Sequence, residues 1–232
     1  MTTHLGSTRL RAGLARQALG HLLLAVVVLA AILFLTAGTL HYWEAWLYMA
    51  VLFLPLLGFL FYMINRAPDF LERRMRYREK EKTQSVALGV AGASLILVII
   101  LPGFDQRFGW STVPVWAVIA ADVVILLGYA LFTLVMKVNR YASRIIEVDQ
   151  GQTVSTTGPY AIIRHPMYVA VLLIFEATPI ALGSWWAALP VLVLPYILAV
   201  RIRTEEATLA RELDGYEEYA QKVRYRLIPG IW

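Results

Sequence analysis

The sequence predicts an all-α polytopic membrane protein: about six transmembrane or partly spanning helices and a cytoplasmic C-terminal helix. Three observations predict it. Of the 232 residues, 59% are hydrophobic and 16% charged. Uncharged runs of about twenty residues recur, the length that crosses a hydrocarbon core. The basic residues fall almost entirely on one side of a six-crossing topology.

The elements follow in order. Arg9, Arg11 and Arg16 precede the first apolar run, 18–40. That run is longer than a signal-peptide core and no small-x-small cleavage site follows, so it is read as a retained span. Runs at 43–64, 85–103 and 113–136 give three more spans. Two shorter segments, 166–182 and 185–200, form a hydrophobic hairpin punctuated by Thr178-Pro179 and Gly183-Ser184. Each is short for a span, and Pro/Gly-interrupted segments of this kind build sites at membrane depth.

Charge sets the orientation. The N-terminal tail carries three Lys/Arg, the 65–84 loop seven, the 137–165 connection four and the tail from 201 six, leaving only Arg107 for the other side. The positive-inside rule makes the crowded side, with both termini, cytoplasmic. The net charge of +5 is thereby explained by topology and anionic membrane lipids, with no nucleic acid partner. The 65–84 loop is expected to be partly helical at the interface. Residues 1–136 read as an N-terminal membrane part, and 137–232 as a core holding the polar motifs.

Several chemistries are excluded. There is no cysteine, hence no disulfide, thiolate metal site or cysteine nucleophile. His4, His21, His41 and His165 are too scattered for a metal site. No strand-Gly-x-Gly-x-x-Gly-helix unit marks a Rossmann domain.

The informative stretch is TTGPYAIIRHPMYVAVLL, residues 156–173. Gly158-Pro159 signals a turn. Pro166 fits the first turn of a helix whose N-terminus offers unpaired N–H groups and a positive dipole end. Arg164 and His165 stand just before it, a setting that suits an anionic group. An aromatic belt with basic anchors explains the same residues structurally. Past the hairpin, Arg201 and Glu205 share a helix face, Glu206, Leu209 and Leu213 continue an amphipathic helix, and Asp214-Gly215 breaks it before Tyr216 and Tyr219. Asp122 and Glu176 lie near midplane depth. They are either buried acids facing the bundle interior or polar contacts in a substrate cavity.

GPYAIIRHPMY, the short hairpin and EEATL…GYEEYAQKV…IP together resemble the isoprenylcysteine carboxyl methyltransferase family and the related phospholipid methyltransferases, over about residues 137–230. The resemblance implies an integral membrane enzyme that uses S-adenosylmethionine without a Rossmann domain. It implies cofactor contacts at Thr157, Gly158, Pro159, Tyr160, Arg164, His165, Tyr168 and Ala170, where the family commonly has glycine, and at Glu205 and Glu206. It implies catalytic roles for Arg201, on an acceptor carboxylate, and for Glu205. The implied acceptor is lipidic, with carboxyl O-methylation of an isoprenylcysteine-like substrate foremost. Phospholipid or amine N-methylation and thiol S-methylation are the alternatives, and no metal is implied. The expected location is a bacterial-type inner membrane or the endoplasmic reticulum. A sterol-type reductase using NADPH shares an Arg-His-x-x-Tyr-like element, but Met167-Tyr168-Val169-Ala170 departs from its usual Asn-Tyr. A non-catalytic membrane scaffold is the rival from another class.

Overall fold

The computed structural model describes residues 2–66, 85–139 and 151–232. Asn65 and Arg66, expected in the 65–84 loop, end the second helix, while the rest of that loop, with its expected interfacial helix, and the middle of the 137–165 connection lie outside the described residues. The described residues form helices, short turns and no strand: α1 (Thr2–Ala37), α2 (Trp43–Arg66), α3 (Ser85–Phe108), α4 (Val115–Val138), a 3-10 turn at Gly158–Ala161, α5 (Pro166–Ala181), α6 (Ala188–Val191), α7 (Val193–Glu212) and α8 (Tyr216–Lys222). Ala15–Ala37, Trp43–Tyr62 and Val115–Val138 are long and apolar enough to cross a membrane, and Pro166–Ala181 is a shorter apolar helix. These apolar helices mark the chain as an integral membrane protein.

Helix ends follow local chemistry. Gly38 (φ 68) closes α1 and Gly109 (φ 62) closes α3, the left-handed conformation that glycine adopts without strain. Pro166 opens α5, as the sequence predicts, with His165 as the preceding cap residue. Thr178-Pro179 does not interrupt α5. The helix continues through Pro179 to Ala181, while the Thr178 hydroxyl donates to the Ile174 carbonyl (2.8 Å).

The second half of the hairpin differs more. The expected helix over 185–200 is divided into a short α6 and a long α7, and α7 runs through the expected boundary at 201 to Glu212. Nothing in Ala199-Val200-Arg201-Ile202 stops a helix. The chain changes from apolar to charged without changing conformation. The break comes at Gly215 (φ 80), which starts α8.

Two buried clusters organise the bundle. Leu33, Tyr42, Tyr48, Ala121, Ile125 and Ala181 join α1, α2, α4 and α5. Val98, Tyr168, Val191, Leu194, Leu198 and Ile202 join α3, α5, α6 and α7, with Leu227 and Trp232 of the tail added. The helices α4 and α5 approach each other closely at Gly128. A Cβ on Gly128 would stand 2.7 Å from Ile174 Cγ1 and 3.1 Å from the Ala170 carbonyl oxygen.

One end of the bundle gathers the α1–α2, α3–α4 and α5–α6 connections. There Asp105, 1% exposed, accepts from the Ser111 amide (2.7 Å), the Ser111 hydroxyl (2.6 Å) and the Ser184 hydroxyl (2.5 Å). Tyr42 donates to the Leu182 carbonyl (2.6 Å). Trp43, Trp46, Trp110, Trp116, Trp185 and Trp186 are exposed around this end, the collar that aromatic residues form where hydrocarbon meets water. The Gly158 turn, Arg201 and the tail lie at the other end.

Candidate functional site

The site starts from the Gly-Pro turn. Gly158 (φ 58) lets the chain fold onto α4, and a Cβ there would meet Val138 Cγ2 at 3.0 Å. Pro159 sets the 3-10 turn, its carbonyl accepting from the amides of Ile162 and Ile163, both at 3.2 Å. Thr157 is exposed and supplies its main-chain oxygen to the Tyr160 amide. Tyr160 is buried. Its hydroxyl accepts from Asn139 Nδ2 (2.9 Å) and its carbonyl from the Tyr219 hydroxyl (2.8 Å). Burial, with the Asn139 bond opposing it, pushes the Tyr160 phenol up to about 12.

The next four residues lead into α5 and are tied to the C-terminal tail. The Arg164 amide donates to the Tyr225 carbonyl and the His165 amide to the Arg226 carbonyl, both at 2.9 Å. The Arg164 guanidinium donates to the carbonyls of Ala220 (3.1 Å) and Val223 (3.3 Å), which closes the end of α8.

Glu206 is the hub. Its Oε1 pairs with Arg164 Nε (2.8 Å) and with His165 Nε2 (3.2 Å), and its Oε2 with Arg226 Nε (2.8 Å). Burial alone raises a carboxyl, but the hydrogen bonds from His165 and Arg226 and the Arg164 charge outweigh it and hold Glu206 down at about 2. Arg226 also lies over the Trp232 ring, 5.4 Å from its centroid.

Glu205 belongs to a different arrangement. Its Oε2 accepts from the Tyr168 hydroxyl, and that hydroxyl accepts from Arg201 Nε at 2.9 Å. The Tyr168 ring stacks on His165, centroids 5.6 Å apart at 26°. His165 and Tyr168 are buried, at 6% and 7% exposure, so water is largely excluded from this junction.

The structure therefore brings Tyr160, Arg164, His165, Tyr168, Arg201, Glu205 and Glu206 together, and separates the two glutamates that the sequence pairs. Ala170 is fully buried, and its carbonyl faces Gly128 of α4, where it serves helix packing. Asp122 is 4% exposed inside the bundle, and neither carboxylate oxygen has a hydrogen-bond partner among the described residues. Glu176 lies in α5 with one buried oxygen likewise unpartnered. Sequence reasoning missed Arg226 and Asn139. The run Arg224-Tyr225-Arg226 offered a signal, but its charges were absorbed into the count of basic residues.

Beside this junction a cleft of about 500 Å³ opens between the Gly158 turn and α8, lined by Thr156, Ala161, Gly215, Glu218, Tyr219 and Lys222. The Tyr216 hydroxyl is buried without a hydrogen-bond partner among the described residues. Its phenol is pushed up, first by burial and then by the Glu206 charge. No group of three metal-ligating side chains occurs among the described residues.

Residues 118–211 match the isoprenylcysteine carboxyl methyltransferase (ICMT) family. The match takes in α5 to α7, both glutamates and Arg201, and ends before α8 and Arg226. No curated protein matches the chain.

Proposed function

With residues 118–211 carrying the sequence of the isoprenylcysteine carboxyl methyltransferase family, we propose that this protein is an integral membrane methyltransferase that uses S-adenosylmethionine and modifies a lipidic acceptor, foremost the carboxylate of an isoprenylcysteine-like molecule. The single observation that carries the reading is the junction of the two motif segments. Side chains of α7 meet Arg164, His165 and Tyr168 at the entrance of α5, where an apolar cluster begins.

The residues present suit such a donor. Glu205 offers a carboxylate to a cationic group. The buried Tyr216 hydroxyl offers a hydrogen-bonding atom. The adjoining cleft has room for a nucleoside-sized group. Arg164 and His165 already hold Glu206, so in this reading they shape the donor site and Glu206 is their counter-ion. When bound, the donor supplies a methyl group activated on a sulfonium.

The chain's own task is then approach geometry and exclusion of water. Arg201 holds an acidic acceptor with a planar fork that lysine does not reproduce. A carboxylate acceptor is already nucleophilic and needs no base. An amine or thiol must lose a proton, and Glu205 is then the candidate base. The tail's basic residues and the exposed tryptophans of the opposite end support a cytoplasmic site.

The test is calorimetry and thermal shift in detergent with S-adenosylhomocysteine and NADPH side by side. S-adenosylhomocysteine is expected to stabilise the wild type, and less so after His165→Ala, which loosens Glu206. Stabilisation by NADPH alone would make the protein a reductase. Response to neither would leave the scaffold reading.

A further inference from the structure

Six of the seven tryptophans stand exposed in the collar at the far end of the bundle. The seventh, Trp232, is at the end that holds the site, and its surroundings differ. It is half-buried and packs against the apolar cluster that holds Val98, Leu198, Ile202 and Leu227. The Arg226 guanidinium lies over its ring, 5.4 Å from the centroid. The same guanidinium gives its Nε–H to Glu206 Oε2 at 2.8 Å.

The main chain fixes where the ring stands. The amides of Arg226, Leu227 and Ile228 all donate to the Trp232 main-chain oxygen, at 2.9, 3.0 and 3.1 Å. Three successive N–H groups that converge on one oxygen make the kind of cradle that holds anions. Here the oxygen comes from the same loop. The Trp232 amide returns to the Ile228 carbonyl (3.1 Å), and Gly230 (φ 84) supplies the reversal. Residues 226–232 therefore close on themselves, and the backbone brings Arg226 and Trp232 together.

The consequence falls on Glu206. The Arg226 side chain is 33% exposed. Left to itself, a long side chain at that exposure spreads over many rotamers, and water competes for its guanidinium. The electron-rich ring face attracts the cation and covers one side of it. The ring takes the cation and the carboxylate takes the Nε–H, so the two contacts do not compete. Glu206 in turn holds Arg164 Nε and His165 Nε2.

We propose that Trp232 is a positioning residue for the donor half of the site. Its ring confines Arg226 to the geometry that reaches Glu206, and through Glu206 it sets Arg164 and His165 at the entrance of α5. This rests on the methyl-transfer reading, in which those two residues shape the donor site.

Trp232→Leu keeps apolar bulk against the cluster and removes the ring. Trp232→Phe restores a ring face. Ligand-free melting temperatures report whether each variant is folded. By calorimetry in detergent, Trp232→Leu is expected to weaken S-adenosylhomocysteine binding about tenfold, the scale of one partly shielded cation–ring contact. Trp232→Phe should recover most of that loss. Arg226→Gln leaves the ring and should weaken donor binding as well. Combining it with Trp232→Leu should cost no more than the worse single variant, because both act through one guanidinium. Turnover at saturating donor and the KM for the acceptor should stay near wild type, because the change reaches the site through Glu206 and leaves the bond between Tyr168 and Glu205 in place.

Wild-type donor affinity in Trp232→Leu or in Arg226→Gln, whatever the melting temperature, would reduce Trp232 to a packing residue and overturn the inference. A phenylalanine variant as weak as the leucine one, or losses that multiply in the double variant, would do the same. In each of these cases the wild type still binds S-adenosylhomocysteine and the methyl-transfer reading stands. Wild-type protein that binds none would sink that reading, and the inference with it.

Discussion

Arg226 Nε lies 2.8 Å from Glu206 Oε2, twenty residues away along the chain. Its carbonyl accepts from the amide of His165, whose ring holds the other oxygen of the same glutamate. One tail residue thus holds the hub directly and also ties down the backbone of His165, another of its partners, from beyond the segment that matches the family.

Replacing Arg226 with Gln is expected to destabilise the protein by about 2 kcal/mol, the usual cost of losing a hydrogen bond to a charged group with little access to water. A cycle with Glu206→Gln, followed by thermal unfolding in one detergent, should show strong coupling. Additive losses would mean that the two side chains act independently.

Acid should reveal the same hub. Glu206 is held at about 2, below its ordinary 4.5. A depressed carboxyl contributes stability that is fully present above its unfolded value and is lost as pH falls through its folded value. The contribution should therefore be complete at neutral pH, on the order of 3 kcal/mol, and disappear between about 4.5 and 2. Tryptophan fluorescence against pH should show this limb in wild type. In Glu206→Gln it should be weaker, with lower stability already at pH 7. An identical acid profile in both proteins would mean that other carboxyls govern the transition.

The hub also marks where sequence reading stops. The long apolar runs, Pro166 at the start of α5 and the break at Asp214-Gly215 were legible, because membrane thickness and proline and glycine stereochemistry are local constraints. The continuity of α7 through 200–201 was not, since polarity changes there and helix propensity does not. The different partners of Glu205 and Glu206 were not legible either. Adjacent helix positions point about 100° apart, and which neighbour each meets depends on where the tail returns. Arg226 illustrates the point: a basic residue in a basic tail satisfies a charge count wherever its side chain goes.

Gly128 tests how α5 is set. With Ile174 Cγ1 and the Ala170 carbonyl this close to a would-be Cβ, Gly128→Ala forces the helices apart by a few tenths of an ångström. It should cost about 1–3 kcal/mol, as overpacking does. Gly128→Leu should prevent recovery of folded protein. Because Tyr168 rides on α5, the alanine variant should also lose turnover. A variant as stable and active as wild type would show that α5 adapts without disturbing the site.

Arg201→Lys keeps the charge and removes the planar fork. Its Nε bond to Tyr168 also goes. S-adenosylhomocysteine binding should be retained and turnover should drop at least tenfold, read by calorimetry and single-turnover assays. Full turnover in the lysine variant would reduce Arg201 to a basic anchor at the end of the membrane-embedded part of α7.

The acceptor's apolar part should supply most of its affinity. Arg201, Glu205 and Tyr168 stand directly above the apolar cluster of Val98, Val191, Leu194 and Leu198, with Leu172 and Phe175 of α5 against it. Leu189, Leu192, Tyr196 and Val200 are exposed along α6, α7 and the turn between them, an apolar surface suited to lipid tails. A head group delivered from the bilayer therefore reaches the charged residues while its chain stays among the helices. Each methylene transferred from water contributes about 0.8 kcal/mol, roughly fourfold in binding. Chains already dissolved in lipid gain only from contacts with the protein. The measurement is a series of acceptors with one head group and increasing chain length, assayed in nanodiscs at fixed surface concentration. Catalytic efficiency should rise with length and level off once the chain extends past α5. Equal efficiency for short, water-soluble acceptors would overturn lateral entry and point to an aqueous pocket for a small acid, amine or thiol, with the cleft beside the Gly158 turn as its route.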